Sequence, residues 1–338
     1  MTEDFRPSKW VIRWMYLGIA MVLAMVVIGG ITRLTHSGLS MVHWSFTGSL
    51  PPLTEEAWQL EFQKYQQSPE FQEVHSHFQL AEFKSIFWWE YIHRMFGRLI
   101  GLVFLVPFAV FLFKKQIPRS FYGRFAIILG LGAFQALLGW FMVKSGLVDV
   151  PRVSHYRLAA HLSTAFLACA YIYWVLLEYS YLGSGKAFSQ ALRKPALILI
   201  GLIGVQIVFG AFVAGLRAGF VHNTWPLMDG EFMAEAALSL DPAWLNFIEG
   251  KSGVQFVHRT LALLILAFGG QLAFKFRQTP LFQKVMLPVV VVLTAQVVLG
   301  IVALLAHVPI WLGVLHQVVA LILLLSVVRM LFYSRPTT

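Results

Sequence analysis

Four histidines stand inside apolar stretches of this 338-residue chain, each at a similar distance from the outer end of its stretch. They are His93, His161, His258 and His316. Polar residues inside a bilayer are expensive and mark functional sites by default, although a single histidine can also serve only to hydrogen-bond a neighbouring helix. At a helical rise of ~1.5 Å per residue, the four rings are predicted roughly 8–11 Å below one membrane face. Their equal depth favours a shared binding role.

The two histidine pairs have the chemistry of axial haem ligands. Zinc and copper sites normally add a thiolate, a carboxylate or a third imidazole, and the single cysteine, Cys169, lies within an apolar run. Two imidazoles on facing helices of a four-helix bundle suit the two axial positions of a haem iron. We therefore predict two bis-histidine haem pockets. Arg94 and Arg259 directly follow their histidines and are predicted to meet haem propionates, unless they only extend toward the membrane surface.

One carboxylate distinguishes the first histidine pair from the second. Glu90 precedes His93 by three residues and shares its helix face, whereas the corresponding residue before His258 is Gln255. A carboxylate can accept a proton or stabilise a developing cation, which oxidation of a C–H bond beside a haem requires. The alternative is a structural ion pair with a nearby arginine. We predict that Glu90 is catalytic, that the reaction takes place in the N-terminal pocket, and that the C-terminal pocket holds a permanent cofactor.

The elements that position these residues are predicted to be membrane-spanning helices. Only 12% of the residues are charged and 58% are hydrophobic, whereas soluble domains are roughly a quarter charged. This composition excludes a soluble enzyme and a nucleic-acid binder. Eight stretches provide the ~20 residues that cross a bilayer. They are residues 14–31, 99–113 extended back through 86, 125–143, 158–177, 195–216, 261–274 extended back through 253, 285–308 and 309–328.

The sequence contains an internal repeat. EYIHR at residues 90–94 recurs as QFVHR at 255–259, and QALLG at 135–139 recurs as QVVLG at 296–300. At a constant offset of 181 residues, three further positions match: Gly29 with Gly210, Gly38 with Gly219, and Trp44 with Trp225. Each half has four spans, so both halves cross the membrane in the same orientation. We predict an all-α integral membrane protein with eight transmembrane helices in two pseudo-symmetric parallel four-helix bundles, residues 1–180 and 181–338.

Basic residues are distributed unevenly between the two sides of the predicted bundle. The side with both termini carries fifteen of the 26 Lys and Arg residues but only three of the 16 acidic residues, Glu3, Asp4 and Glu178. An excess of Lys and Arg marks cytoplasmic connections. Both termini are therefore predicted to be cytoplasmic, and the two long connections, about 35–87 and 217–252, to face outward.

Several segments of the chain resemble the haem A synthase family. They are GGITRLTHSGLSM (29–41), PPL…W…EF..Y…PE (51–70), EFKSIFWWEYIHRMFGR (82–98) and the paired histidine segments in the rest of the chain. The resemblance covers nearly the whole sequence. It implies that a methyl group of haem O is oxidised to a formyl group through successive hydroxylations, giving the haem A of terminal oxidases.

The resemblance also implies roles for particular residues. A resident haem b has His258 and His316 as axial ligands, His93 and His161 face the substrate haem, and Glu90 occupies the family's essential acidic position. Haem O is the substrate, haem O synthase is a partner, and the inner (plasma) membrane is the location. Some members carry cysteine pairs in the outer loops. This chain lacks them and resembles the cysteine-free branch of Gram-negative bacteria and mitochondria, for which electron entry through thiols is in doubt.

Two other functions are open on the residues alone. A di-haem b-type electron-transfer cytochrome would use the same four histidines, but it needs no lone acid beside one haem, so Glu90 opposite Gln255 favours the enzyme. A transporter is compatible with parallel repeats, but no Gly- or Pro-broken helix is predicted at mid-membrane. Extraction of the bound haem separates the first two functions, because an electron carrier holds only haem b.

Overall fold

A computed structural model of the chain describes residues 6–42, 48–146, 153–182, 190–279 and 282–335. The predictions that involve Glu3, Asp4 and Trp44 concern residues outside this description. Within it the fold is all-α, as predicted. The helices are α1 (Lys9–Leu34), α2 (Glu55–Gln66), α3 (Pro69–Glu73), α4 (Leu80–Phe113), α5 (Tyr122–Gly146), α6 (His155–Ser180), α7 (Arg193–Leu216), α8 (Lys251–Phe276), α9 (Leu287–Leu305) and α10 (Ile310–Phe332).

Eight of these helices, all except α2 and α3, are long and apolar enough to cross a membrane, which confirms the predicted number of spans among the described residues. Large apolar side chains such as Leu102, Phe113 and Trp311 are exposed on their outward faces, where lipid would cover them. The helices extend beyond the apolar stretches because backbone hydrogen bonding continues through polar residues. The longest extension is in α4, which begins six residues before Ile86.

The junction between the last two spans differs from the prediction. The sequence predicts the seventh and eighth spans over 285–308 and 309–328, but α9 ends at Leu305 and Pro309 is the N-cap of α10. His307 and Val308 have positive φ angles of 57° and 52°. A proline disfavours the α-helical conformation of the residue before it, so the chain leaves the helix early and turns within four residues.

The described parts of both long connections, which are predicted to face outward, contain short helices and turns that the sequence analysis did not predict. In the first, α2 and α3 pack on the outer end of α4 around an aromatic cluster of Trp58, Phe62, Tyr65, Phe83 and Phe87. Both short helices are capped, because the Thr54 hydroxyl accepts the Ala57 N–H and the Ser68 hydroxyl accepts the Phe71 N–H, each at 3.2 Å. In the second connection, 3₁₀ turns at Glu235–Leu238 and Ala243–Phe247 pack against α8.

Helix packing follows the internal repeat. Helix α1 packs against α4 and α6 in the same way that α7 packs against α8 and α10, and the α5–α6 pair corresponds to α9–α10. The first and fourth helices of each half, α1, α6, α7 and α10, also pack across the boundary between the halves. These four central helices supply much of the apolar core, including the fully buried Met15, Phe166, Leu176, Val327 and Met330.

An approximate two-fold axis passes between the outer ends of α1 and α7. The Arg33 guanidinium donates to the carbonyl oxygen of Ala214 at 3.1 Å, and the Arg217 guanidinium lies 2.6 Å from Nε2 of His36. At the repeat offset of 181 residues, Arg33 corresponds to Ala214 and His36 to Arg217. A residue that contacts its own counterpart must lie close to the axis that relates the two halves.

Candidate functional site

Each of the four histidines lies against a glycine on a neighbouring helix of its own half. A Cβ added to these glycines would come within 2.9–3.3 Å of the imidazole ring, so only glycine lets the ring approach the helix this closely. The pairs are Gly29 (α1) with His93 (α4), Gly139 (α5) with His161 (α6), Gly210 (α7) with His258 (α8), and Gly300 (α9) with His316 (α10). The glycines noted in the repeat therefore shape the histidine pockets.

The C-terminal pair has room for one coordinated metal. The ring centroids of His258 and His316 lie 6.5 Å apart with an interplanar angle of 73°. Metal–nitrogen bonds of roughly 2 Å on both sides would separate the two centroids by roughly 6 Å. Nδ1 of His316 is also buried without a hydrogen-bond partner. The spacing and the unpaired nitrogen both fit bis-imidazole ligation of an iron.

The N-terminal pair is arranged in a similar way on α4 and α6. His93 lies against Gly29 and His161 against Gly139, as their counterparts do in the C-terminal half, and Nδ1 of His161 is buried without a partner. The four predicted histidines are thus brought together in two pairs, one in each half. Among the described residues no group of three or more His, Cys, Asp or Glu side chains is placed to hold a metal ion.

The sequence analysis missed a set of glutamines that contact the histidines. Gln135 Nε2 lies 3.2 Å from His161 Nε2, and Gln296 Nε2 lies 3.2 Å from His316 Nε2. Gln206 Nε2 lies 3.1 Å from His258 Nδ1. QALLG and QVVLG stood out as repeated segments, but nothing in the sequence indicated that their glutamines face the imidazoles.

Glu90 is buried, with 2% of its surface exposed, and both of its oxygens are bound. The Ser40 hydroxyl and the Met41 N–H each donate to Oε2 at 2.7 Å, and the Arg94 guanidinium donates to Oε1. Arg94 also donates to the carbonyl oxygen of Met41 at 3.1 Å. The structure therefore contains the ion pair that the sequence left open as an alternative, and the pair holds the carboxylate in one position.

Gln255 occupies the same place in the C-terminal half with the opposite hydrogen-bonding polarity. Its Nε2 donates to the carbonyl oxygens of Ala218 at 3.0 Å and His222 at 3.2 Å. Met41 and His222 correspond at the offset of 181 residues, so Glu90 and Gln255 tie equivalent loops to equivalent helices. The structural role is shared, and the N-terminal half has a carboxyl group where the C-terminal half has an amide.

Arg94 and Arg259 both hold the loop that follows the first helix of their half. Arg259 donates to the carbonyl oxygen of Thr224 at 2.5 Å, and its guanidinium lies 5.1 Å from the centroid of the Trp225 ring. The second terminal nitrogen of Arg259 is buried without a partner, so its N–H groups are available to donate to a carboxylate. Contact of either arginine with a propionate stays a prediction.

A second buried carboxyl group, Glu70, lies in the outer cap, the part of the chain formed by α2, α3 and the start of α4. The Tyr65 hydroxyl lies 3.2 Å from Glu70 Oε2 and 2.7 Å from His75 Nδ1, and all three side chains are buried. Burial raises the pKa of Glu70 to about 8, and the charge of Glu90 adds to the increase while Arg33 opposes it. In the sequence, Glu70 is only the last residue of the segment 51–70 that resembles the family, and nothing there indicates that it is buried.

Glu70→Gln is expected to change how stability depends on pH. Between the unfolded pKa of 4.5 and the folded pKa of about 8, the folded chain keeps a proton that the unfolded chain releases, so stability should fall as pH rises across this window. The variant should lose that part of the slope in thermal unfolding of the detergent-solubilised chain. The exposed Glu73→Gln should retain it. Equal slopes for Glu70→Gln and Glu73→Gln would contradict the assignment.

Comparison with known proteins gives matches along nearly the whole chain. Residues 12–328 match the COX15-CtaA family model, described as cytochrome oxidase assembly protein. The haem A synthase of Flavobacterium psychrophilum is 48% identical over 327 residues, which cover 94% of this chain and 96% of its own length. That of Nitrosospira multiformis is 43% identical over 332 residues (95% and 92%), and that of Wolbachia pipientis from Culex pipiens is 45% identical over 332 residues (97% and 98%).

Proposed function

The chain belongs to the COX15-CtaA family of cytochrome oxidase assembly proteins, and from this membership we propose that it is an oxidoreductase that converts haem O to haem A. Relatives up to 48% identical over nearly the full length are haem A synthases. The family resemblance inferred from the sequence is thereby confirmed. The structural observation that carries the proposal is the pair of histidine pockets, of which only one has a buried carboxylate.

The substrate haem O is proposed to bind between His93 and His161. Glu90 is on the same helix face as His93, one turn away, and is the acidic residue of this pocket. Oxidation of a methyl group to a formyl group releases protons, and a fixed carboxylate is a first acceptor for them. Ser40, whose hydroxyl donates to Glu90 Oε2 at 2.7 Å, is the O–H group through which such a proton can move on.

The C-terminal pocket is proposed to hold a resident haem b through His258 and His316. The 6.5 Å separation of the two rings and the unpaired His316 Nδ1 support this assignment. Arg259 has a buried nitrogen without a partner and would bind a propionate. A haem b held there supplies one-electron transfer.

The location and partners follow from the same reasoning. The excess of Lys and Arg on the side of the termini supports an inner-membrane protein with both termini in the cytoplasm and with the α2–α3 cap in the periplasm. Haem O is a lipid-soluble substrate with an external supplier, so haem O synthase is the proposed partner.

Extraction of the haem from purified protein tests the proposed function. The chain is produced together with a haem O synthase, and the haems are separated by chromatography. We expect haem b together with haem O, a hydroxylated haem or haem A. Haem b alone would favour a di-haem electron-transfer cytochrome. Cells that produce the haem O synthase without this chain are the control for background haem A.

A further inference from the structure

Three of the four histidines contact a glutamine on a neighbouring helix. On that helix the glutamine lies one turn before the glycine that packs against the imidazole ring. Gln135, Gln206 and Gln296 each precede their glycine by four residues. Two of them also bind the backbone of the histidine, because the amides of Gln135 and Gln206 donate to the carbonyl oxygens of His161 and His258 at 3.1 Å and 3.0 Å. The oxygen atoms of all three amides are buried without a partner, so a flipped amide can instead accept an imidazole N–H.

The fourth position of this pattern is a methionine. Met25 precedes Gly29 by four residues and corresponds to Gln206 at the offset of 181. Its methyl carbon lies 3.2 Å from the point where a Cβ of Gly97 would be, one turn beyond His93 on α4. A thioether cannot donate a hydrogen bond and is a weak acceptor. Within the described parts of the chain, no hydrogen bond holds the His93 imidazole.

A metal-bound histidine normally donates its second ring N–H to a neighbouring acceptor, which fixes the ring and makes it a stronger ligand. We propose that Met25 makes His93 the weak, exchangeable axial ligand, so that haem can leave the N-terminal pocket after oxidation. The glutamine-held imidazoles of His258 and His316 keep their haem permanently. This inference rests on the proposed function, because only an enzyme whose substrate is a haem needs one pocket that releases it.

Two reciprocal substitutions test the inference. Met25→Gln gives the N-terminal pocket the amide of the other three positions, and Gln206→Met gives the C-terminal pocket the thioether. The two side chains have similar lengths, and both positions are half-buried. The purified chain is stripped of haem and reloaded with hemin, and the rate of hemin transfer to apomyoglobin is followed by absorption. The kinetic phase of hemin transfer that is missing in His93→Ala is assigned to the N-terminal pocket.

Loss of such a supporting hydrogen bond typically costs 10–100-fold in metal affinity. We therefore expect hemin to leave the N-terminal pocket of Met25→Gln about 10–100-fold more slowly than in wild type, and to leave the C-terminal pocket of Gln206→Met faster by about the same factor. Met25→Leu, which removes the thioether without adding an amide, should release hemin from the N-terminal pocket as fast as wild type.

The outcomes separate this inference from the proposed function. If both pockets load with hemin but Met25→Gln and Gln206→Met release it at wild-type rates, the inference is wrong and the proposed function stands. If Met25→Gln fails to fold, the rate of hemin release from Gln206→Met decides. Faster release than wild type supports the inference, and release at the wild-type rate contradicts it. If wild type loads a single hemin and His93→Ala does not change the loading, both the inference and the substrate pocket are overturned.

Discussion

Glu90→Gln is expected to lower haem A formation by about 10²–10⁴-fold, which is the usual cost of removing one general acid or base. Haem O or a hydroxylated haem should accumulate in its place, because the substitution leaves His93 and His161, the proposed substrate ligands, unchanged. The haem b proposed at His258 and His316 should stay bound. Chromatography of haem extracted from the purified variant measures all of these species.

The substitution should preserve the local fold. A glutamine oxygen in the place of Oε2 can still accept both the Met41 N–H and the Ser40 hydroxyl, so the loop after α1 keeps its attachment and only the bond with Arg94 is lost. Gln255 already fulfils this structural role in the C-terminal half. Glu73→Gln, an exposed carboxylate in the outer cap, is the matched control. Wild-type amounts of haem A from Glu90→Gln would remove the carboxylate from the mechanism and favour the di-haem electron carrier.

His258→Ala and His316→Ala should each abolish the low-spin absorption of haem b in purified protein. Low-spin haem iron requires two strong axial ligands, and alanine leaves no other imidazole at either position. The glycines opposite, Gly210 and Gly300, cannot replace the missing ligand. Absorption spectra of the reduced and oxidised proteins measure the change.

His77→Ala is the control for this pair of variants, because His77 is exposed between α3 and α4 and far along the chain from His258 and His316. It should retain the wild-type spectrum. An unchanged low-spin spectrum in both His258→Ala and His316→Ala would show that the resident haem is not in the C-terminal pocket. Loss of the same spectrum in His93→Ala or His161→Ala would place it in the N-terminal pocket instead.

The eight spans and the histidine pairs could be predicted because they depend on properties of the sequence alone. Apolar length marks a membrane helix, and the internal repeat assigns two of the four histidines to each half. The helix ends were less predictable, as Val308 illustrates, because hydropathy continues through a turn that the geometry of Pro309 imposes. The Glu90–Arg94 ion pair was recognised only as an alternative, since a spacing of four residues permits the contact without requiring it.

The glutamine contacts and the burial of Glu70 could not be predicted in the same way. Whether Gln206 points at His258 depends on the rotation of α7 relative to α8, which Gly210 permits by letting the ring approach. Glu70 is buried only because α2, α3 and the start of α4 assemble around a common aromatic cluster. In a single sequence it looks like an exposed acid in a polar loop.

The axis between α1 and α7 limits what two identical halves could contain. In a symmetric dimer of four-helix units, a residue on the axis faces a copy of itself, so an arginine at the position of Arg33 or Arg217 would face another arginine and be repelled by it. In the present chain Arg33 faces the backbone of Ala214, and Arg217 faces His36. Covalent fusion of the halves allows each position and its counterpart to change separately. The same freedom permits an acid at Glu90 and an amide at Gln255, so that two pockets built on one plan can serve different chemistry.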